Sequence, residues 1–321
     1  MDALLIMLRN VILFVALAIP GFLLVKTGQL REEQSGALSK LLMYVGMPFL
    51  ILSGTVNNLS LNRELLVIIV AVTLIGLLYT FLMFFASKPL TGAEKEAKTR
   101  GMMRFCSVFS NNGFLGIPLA IAVFGADSPV ITVLIILNII TNILMYTLGI
   151  YLVSGDRSRI SLKKAFWNPV LIAFLLGIAL NLLKITTYLP EIATYSTHFS
   201  SIVTPISMTI LGMKMGGVQL GSLFRSGKTY FVSALKLIVC PLILVAVLLA
   251  IRAIFPSGIV DTDMILGFFV AFAMPTAGLA STFADGFSGD TQNAIAFTLA
   301  TTLLSIITIP VLYWLLCLCL S

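Results

Sequence analysis

The chain has 321 residues, of which 59% are hydrophobic and only 10% charged. With a mean hydropathy of +1.08, this excludes a soluble globular domain, in which about a quarter of residues carry charge, and places the chain among polytopic membrane proteins. The net charge of +7 is spread over stretches between apolar runs, which speaks for orientation in a membrane and against nucleic acid as a partner.

At about 20 apolar residues per span, the sequence predicts an all-α protein with ten transmembrane helices, at 4–25, 37–56, 64–87, 102–124, 129–153, 167–184, 197–216, 228–254, 263–285 and 292–319. The first run extends from Ala3 to about Val25 without a small-residue cleavage site, so it reads as a span and not as a removable leader. Placing both termini outside puts four basic groups on the cytoplasmic side. They are Lys26, Arg31 and Lys40; Lys88, Lys95, Lys98, Arg100 and Arg104; Arg157, Arg159, Lys163 and Lys164; and Lys214, Arg225, Lys228 and Lys236. These are sixteen of the twenty basic residues, leaving Arg9, Arg63, Lys184 and Arg252 at outer ends, as the positive-inside rule asks. The inner loop between spans nine and ten is the exception, with Asp285 and Asp290 and no basic residue. Cys106, Cys240, Cys317 and Cys319 all fall in apolar segments without metal-ligand spacing, so neither a disulfide nor a metal is expected.

Five spans per half bring the second half in from the opposite face, so any likeness between the halves is an inverted repeat, over 1–155 and 156–321. Four places match. Pro48 with Gly54 in span two parallels Pro205 with Gly212 in span seven, and Asn142 with Tyr151 in span five parallels Ser305 with Trp314 in span ten. Spans four and nine each carry a helix-breaking stretch. Around Pro48 and Pro205 a kink is expected rather than a contact, and Gly212 to Gly217 reads as a helix-packing seam.

The first breaking stretch runs from Phe109 to Leu119 and holds Ser110, Asn111, Asn112, Gly113, Gly116 and Pro118. The second runs from Met274 to Ser281 and holds Pro275, Thr276, Ala277, Gly278 and Ser281. Proline removes a backbone donor, and in hydrocarbon every backbone group needs a partner. Such a break is tolerated only where protein or a wet cavity surrounds it, the way transporters build midplane sites. Span four is expected to open near Gly113 and resume at Pro118, and span nine to open around Pro275 and Gly278. Crossing the two would aim two helix N-termini, each with a partial positive charge of about half a unit, at one cavity suited to a carboxylate.

Asn138 and Asn142 stand four apart in span five and share a face. Amides bind a carboxylate through NH₂ or a cation through C=O, so Asn111, Asn112 and Asn142 are read as substrate or site-shaping groups. Asn138, Ser281 and Ser207 serve equally well as satisfied helix glue. Every lysine and arginine is placed near a span end, so no buried cation is expected. All thirteen acidic residues also fall in loops or at span ends, which argues against a midplane carboxylate relay. His198, the only histidine, reads as interfacial.

The stretches S-N-N-G-F-L-G-I-P-L, M-P-T-A-G-L-A-S with Phe283, Ala284 and Asp285, L-K-L-I-V-C-P from Leu235 to Pro241, and the run from Lys26 to Pro48 resemble the auxin efflux carrier family. That family includes the plant PIN carriers and bacterial malate and malonate permeases. The resemblance implies ten helices in a bile-acid-symporter-like arrangement with crossed broken helices 4 and 9. It also implies a scaffold domain (helices 1, 2, 6 and 7) and a crossover transport domain (helices 3–5 and 8–10). Gly113, Gly116 and Pro118 would form one crossing strand and Pro275, Thr276, Ala277 and Gly278 the other, with Asn112 and Asn142 beside the substrate. The loop between spans five and six, about Ser154 to Ala165, is short, as in a compact bacterial-type member. Where other members carry Thr and Pro after the span-five Asn, this chain has Met145 and Thr147.

The expected activity is secondary transport of small organic anions, mono- or dicarboxylates, across the plasma (inner) membrane, by elevator-like alternating access. A sodium-coupled symporter of larger amphipathic anions is the alternative among transporters, and a non-transporting receptor the alternative of another class. No nucleophile–base pair, metal cluster or phosphate loop points to an enzyme. No cofactor is expected, and neither Na⁺ nor H⁺ coupling is indicated. The expected partners are the anion and lipid, and a homodimer is compatible with these features.

Overall fold

Apolar runs too long for strands fold as helices, because a helix satisfies its own backbone away from water. The computed structural model describes residues 2–58, 63–160, 167–218, 221, 225–254 and 260–320. Helix dominates these residues. The first two segments are α1 (Asp2–Ala16) with α2 (Ile19–Lys26), then α3 (Ser35–Leu41) with α4 (Met47–Asn58). A single long helix, α5 (Arg63–Leu90), is followed by α6 (Ala97–Val108) and α7 (Ile117–Phe124), then α8 (Pro129–Leu144) and α9 (Ile150–Ser154). The second half holds α10 (Pro169–Leu182), the short α11 (Ile185–Tyr188), α12 (Glu191–Ser200) and α13 (Val203–Gly217). It ends with α14 (Gly227–Ala234), α15 (Cys240–Ile254), α16 (Thr262–Ala273), α17 (Ala280–Gly286) and α18 (Thr291–Leu320).

Local chemistry sets these boundaries. Ser128, Asn168, Ser226 and Asp261 cap α8, α10, α14 and α16 by accepting from the N–H of Val130, Val170, Lys228 and Met264. Gly155, at φ 69°, ends α9 in the left-handed conformation that glycine adopts without strain. Wide π turns at Leu42–Gly46, Met145–Gly149 and Leu235–Val239 join helical pieces inside segments that the sequence reads as continuous, and a fourth, at Asn112–Gly116, leads into α7 in the segment read as broken. Helix occupies most of each predicted segment, with non-helical breaks between Val108 and Asn112 and between Ala273 and Ala280, and it begins earlier in the fourth and seventh, at Ala97 and Glu191, where polar turns extend the helix beyond its apolar part. Pro205 lies in the first turn of α13, where a missing N–H costs little, whereas Pro48 directly follows the π turn Leu42–Gly46 inside the continuous helical run Glu32–Val56.

Among the described residues, five helical runs are long and apolar enough to cross a membrane: Glu32–Val56, Leu65–Leu90, Pro129–Ser154, Gly227–Ile254 and Thr291–Leu320. Along α5 the exposed face is a row of Leu66, Val70, Leu74, Leu78 and Phe85. In water such a row is a liability, whereas against lipid it is the ordinary surface. The chain is a multi-pass membrane protein.

Small residues bring particular helices close. A Cβ on Gly212 would stand 1.8 Å from the Ala18 carbonyl oxygen, and one on Gly21 would stand 2.0 Å from that of Thr209. That is the seam expected at Gly212, and it fixes α2 on α13. α4 packs on α10 and α12, with Gly177 against Thr55, and α8 packs on α5 and α16. At the loop ends, Lys228 pairs with Glu94 at 2.6 Å, and this bond holds the Glu94 carboxyl below its ordinary range. Thr99 donates to Asp290 at 2.6 Å. Cys106 and Cys240 are buried free thiols, and His198 is exposed. Lys163 and Lys164 lie outside the described residues.

Candidate functional site

Helix α6 stops at Val108, and the backbone becomes extended, with Phe109 at φ −96° and ψ 126°. Helix α16 stops at Ala273 and does the same, with Met274 at φ −60° and ψ 151°. The two extended pieces cross antiparallel, Ser110 opposite Thr276. Asn111 N–H donates to the Pro275 carbonyl at 2.8 Å, and Ala277 N–H to that of Phe109 at 3.0 Å. The side chains repeat the symmetry. Thr276 Oγ1 donates to the Cys106 carbonyl at 3.0 Å, and Ser110 Oγ lies 3.3 Å from that of Phe272. Each hydroxyl thus reaches the residue four positions before its opposite number, so the crossing has a local two-fold axis. It also satisfies the backbone that the breaks release.

The first opening lies earlier than the sequence predicts. Phe109 to Asn111 form the crossing strand, whereas Gly113 and Gly116 sit in the π turn and Pro118 in the first turn of α7. Proline costs no donor there. Gly113 is small for a different reason: a Cβ would stand 2.7 Å from Asn138 Nδ2 and 2.9 Å from Met47 Cε. On the other strand Pro275, Thr276 and Ala277 lie against Phe109 to Asn111, and Gly278 follows against the Asn111 amide.

The amides form a chain. Asn142 Nδ2 donates to the Asn138 carbonyl at 2.8 Å and lies 3.2 Å from Asn138 Oδ1. Asn138 Nδ2 donates to Asn112 Oδ1 at 3.0 Å, and Asn112 Nδ2 to Thr141 Oγ1 at 3.1 Å. Each NH₂ has two donors, so the chain orients the amides and leaves donors over. A cavity lies against this chain. Ser110, Asn111, Asn112, Gly113, Asn138, Asn142, Ala277 and Gly278 line it, together with Met43, Phe114, Tyr146 and Asn168, which the sequence reading did not single out. Gly116, Pro118, Pro275, Thr276 and Ser281 do not line it.

The expectation of no buried cation is wrong. Lys236, counted above with the cytoplasmic residues, is 1% exposed and donates from Nζ to Ser110 Oγ. It sits on the π turn Leu235–Val239, behind the crossing strand. Lys214 is also partly withdrawn from the surface and donates to Ser281 Oγ at 2.7 Å. The signal was in the sequence: Lys236 stands nine residues into the apolar run from Gly227, and a charge inside a span is functional by default.

A helical multi-pass protein with a polar crossing buried among its helices has the build of a membrane transporter. The chain belongs to the auxin efflux carrier family, since the family described as membrane transport protein matches residues 5–162 and 156–313. It is 26% identical to an uncharacterized transporter of Methanothermobacter thermautotrophicus over 308 residues, 94% of this chain and 96% of that protein. It is also 28% identical to an uncharacterized transporter of Methanocaldococcus jannaschii over 211 residues, 64% of this chain and 68% of that one. Family and relatives point to a transporter and not to an enzyme.

Proposed function

We propose that the chain is a secondary transporter of small organic anions, mono- or dicarboxylates, working by elevator-like alternating access in the plasma membrane. The observation that carries this reading is Lys236. Its ammonium is buried behind Ser110, and among the described residues no carboxylate lies within ion-pair distance of it. An uncompensated buried charge is costly, and a substrate carboxylate at the crossing compensates it. In this reading Ser110, Asn111, Asn112, Asn138 and Asn142 hold the anion, while Ala277 and Gly278 let it approach the backbone. Lys236 supplies its field from behind.

The element order supports ten spans in two inverted halves. A long third segment, a broken fourth and a long fifth recur as α14–α15, α16–α17 and α18. The packing of α2 on α13 and of α4 on α10 and α12 supports a scaffold of spans 1, 2, 6 and 7 beside a crossover domain of spans 3–5 and 8–10. The basic loops support an orientation with both termini outside.

The test is substrate-induced current in proteoliposomes, with malate, malonate, succinate, indole-acetate and a bile acid, with and without sodium. A sodium-independent current with a small acid is expected. A current only with sodium and the bile acid establishes the symporter of larger anions instead, and binding without flux a receptor.

A further inference from the structure

A second cavity lies on another side of the same crossing. It shares Asn111, Phe114, Gly278 and Leu279 with the first and is otherwise separate, lined by residues of α3, α13 and α18. Its polar lining is Ser39, Asn111, Ser207, Lys214, Thr298 and Thr302. Four of these have no proton to offer a ligand. Ser39 donates to the Ser35 carbonyl, Ser207 lies against those of Phe114 and Thr204, and Thr298 and Thr302 donate to those of Ala294 and Thr298.

Lys214 is different. Its ammonium has three donors, and its hydrogen-bond partner among the described residues is the Ser281 hydroxyl. Glu32 and Asp285 are its acidic neighbours in electrostatic reach, yet among the described residues neither stands within ion-pair distance. The Asn111 amide makes no hydrogen bond among the described residues and borders both cavities. A cation with unused donors and a free amide, among hydroxyls whose protons are already engaged, make a site for a single small carboxylate.

We propose that this cavity is a second anion site, with Lys214 as its recognition group and Asn111 as the donor it shares with the site at the crossing. The inference rests on the organic-anion reading above. A carboxylate bound there meets Lys214 first and competes with Ser281 for its protons. Two sites bordering one amide let an anion pass between them without being returned to water.

The test is equilibrium dialysis of radiolabelled malonate against the full chain in nanodiscs, with malonamide as the neutral control. Wild type is expected to bind two malonates and no malonamide. Lys214→Gln removes the charge while keeping a polar NH₂ on a side chain one bond shorter and is expected to bind one, while Lys214→Arg retains two. Ser281→Ala leaves the lysine in place with a freed donor, so it should retain two and tighten the weaker by about threefold. It keeps the test decisive if Lys214→Gln misfolds. One malonate in wild type, or two in folded Lys214→Gln, overturns the second site while leaving the crossing site standing. No malonate bound to wild type, with no anion current either, overturns the anion reading itself.

Discussion

At the scale of single residues, the balance between burial and charge decides what matters. Lys236 is held by one hydroxyl in a place where several kcal/mol oppose an unpaired ion. Lys236→Met removes both the charge and its cost, so the folded protein should be no less stable, while organic-anion flux falls at least tenfold. A thermal melt beside the flux assay separates the two, and unchanged flux would remove Lys236 from the site. The amide chain predicts an order of severity. Asn138 has side-chain partners on both sides, so Asn138→Ala leaves Asn112 Oδ1 without its donor and leaves Asn142 with the Asn138 main-chain carbonyl alone. Leaving a buried polar group unpaired costs about 1–3 kcal/mol. Asn142→Ala breaks only one end and should lower flux with a smaller drop in melting temperature. The amides were legible because Asn138 and Asn142 share a helix face. Lys236 was not, because counting basic residues by nearness to a span end assigns it to the wrong surroundings.

At the scale of elements, the crossing is built from hydrogen bonds as much as from helix breaks. Thr276→Val keeps the shape of the strand but leaves the Cys106 carbonyl without its side-chain donor and Thr276 without its hydroxyl. The expected loss is about 1–3 kcal/mol, read as a lower melting temperature in detergent. Gly113→Ala drives a methyl group against Asn138 Nδ2 and Met47 Cε, and overpacking of this kind costs about 1–3 kcal/mol. Flux should fall with it, because Asn138 must move to make room. That two segments break was readable from Pro118 and Pro275, since proline inside a span demands an explanation. Where the first one breaks was not. Proline is harmless in a first turn, so Pro118 marks the start of α7 and not the opening, which lies at Phe109 to Asn111 where the partner strand supplies hydrogen bonds. The π turns were not read, although three of the four, at Leu42–Gly46, Asn112–Gly116 and Leu235–Val239, end two residues before a proline.

At the scale of the molecule, alternating access by an elevator requires one group of helices to slide past another. The contact between α4 and α8 is one place where the proposed scaffold meets the proposed crossover domain, beside the packing of α1 on α7 and α18. Here Gly54 faces Ile135, and a Cβ on Gly54 would stand 2.9 Å from the Ile135 Cδ1 atom. Cysteines placed at both positions, in a background with Cys106, Cys240, Cys317 and Cys319 replaced, are close enough for a short bifunctional thiol reagent with a cleavable disulfide spacer. If α4 and α8 move past one another in each transport cycle, the cross-link should stop flux and a reducing agent should restore it. Either cysteine alone, treated in the same way, should transport throughout. Flux that survives a complete cross-link would show that this contact stays fixed. The sliding surface would then have to be sought elsewhere, or access would have to alternate by local gating around the crossing while α4 and α8 remain one rigid body.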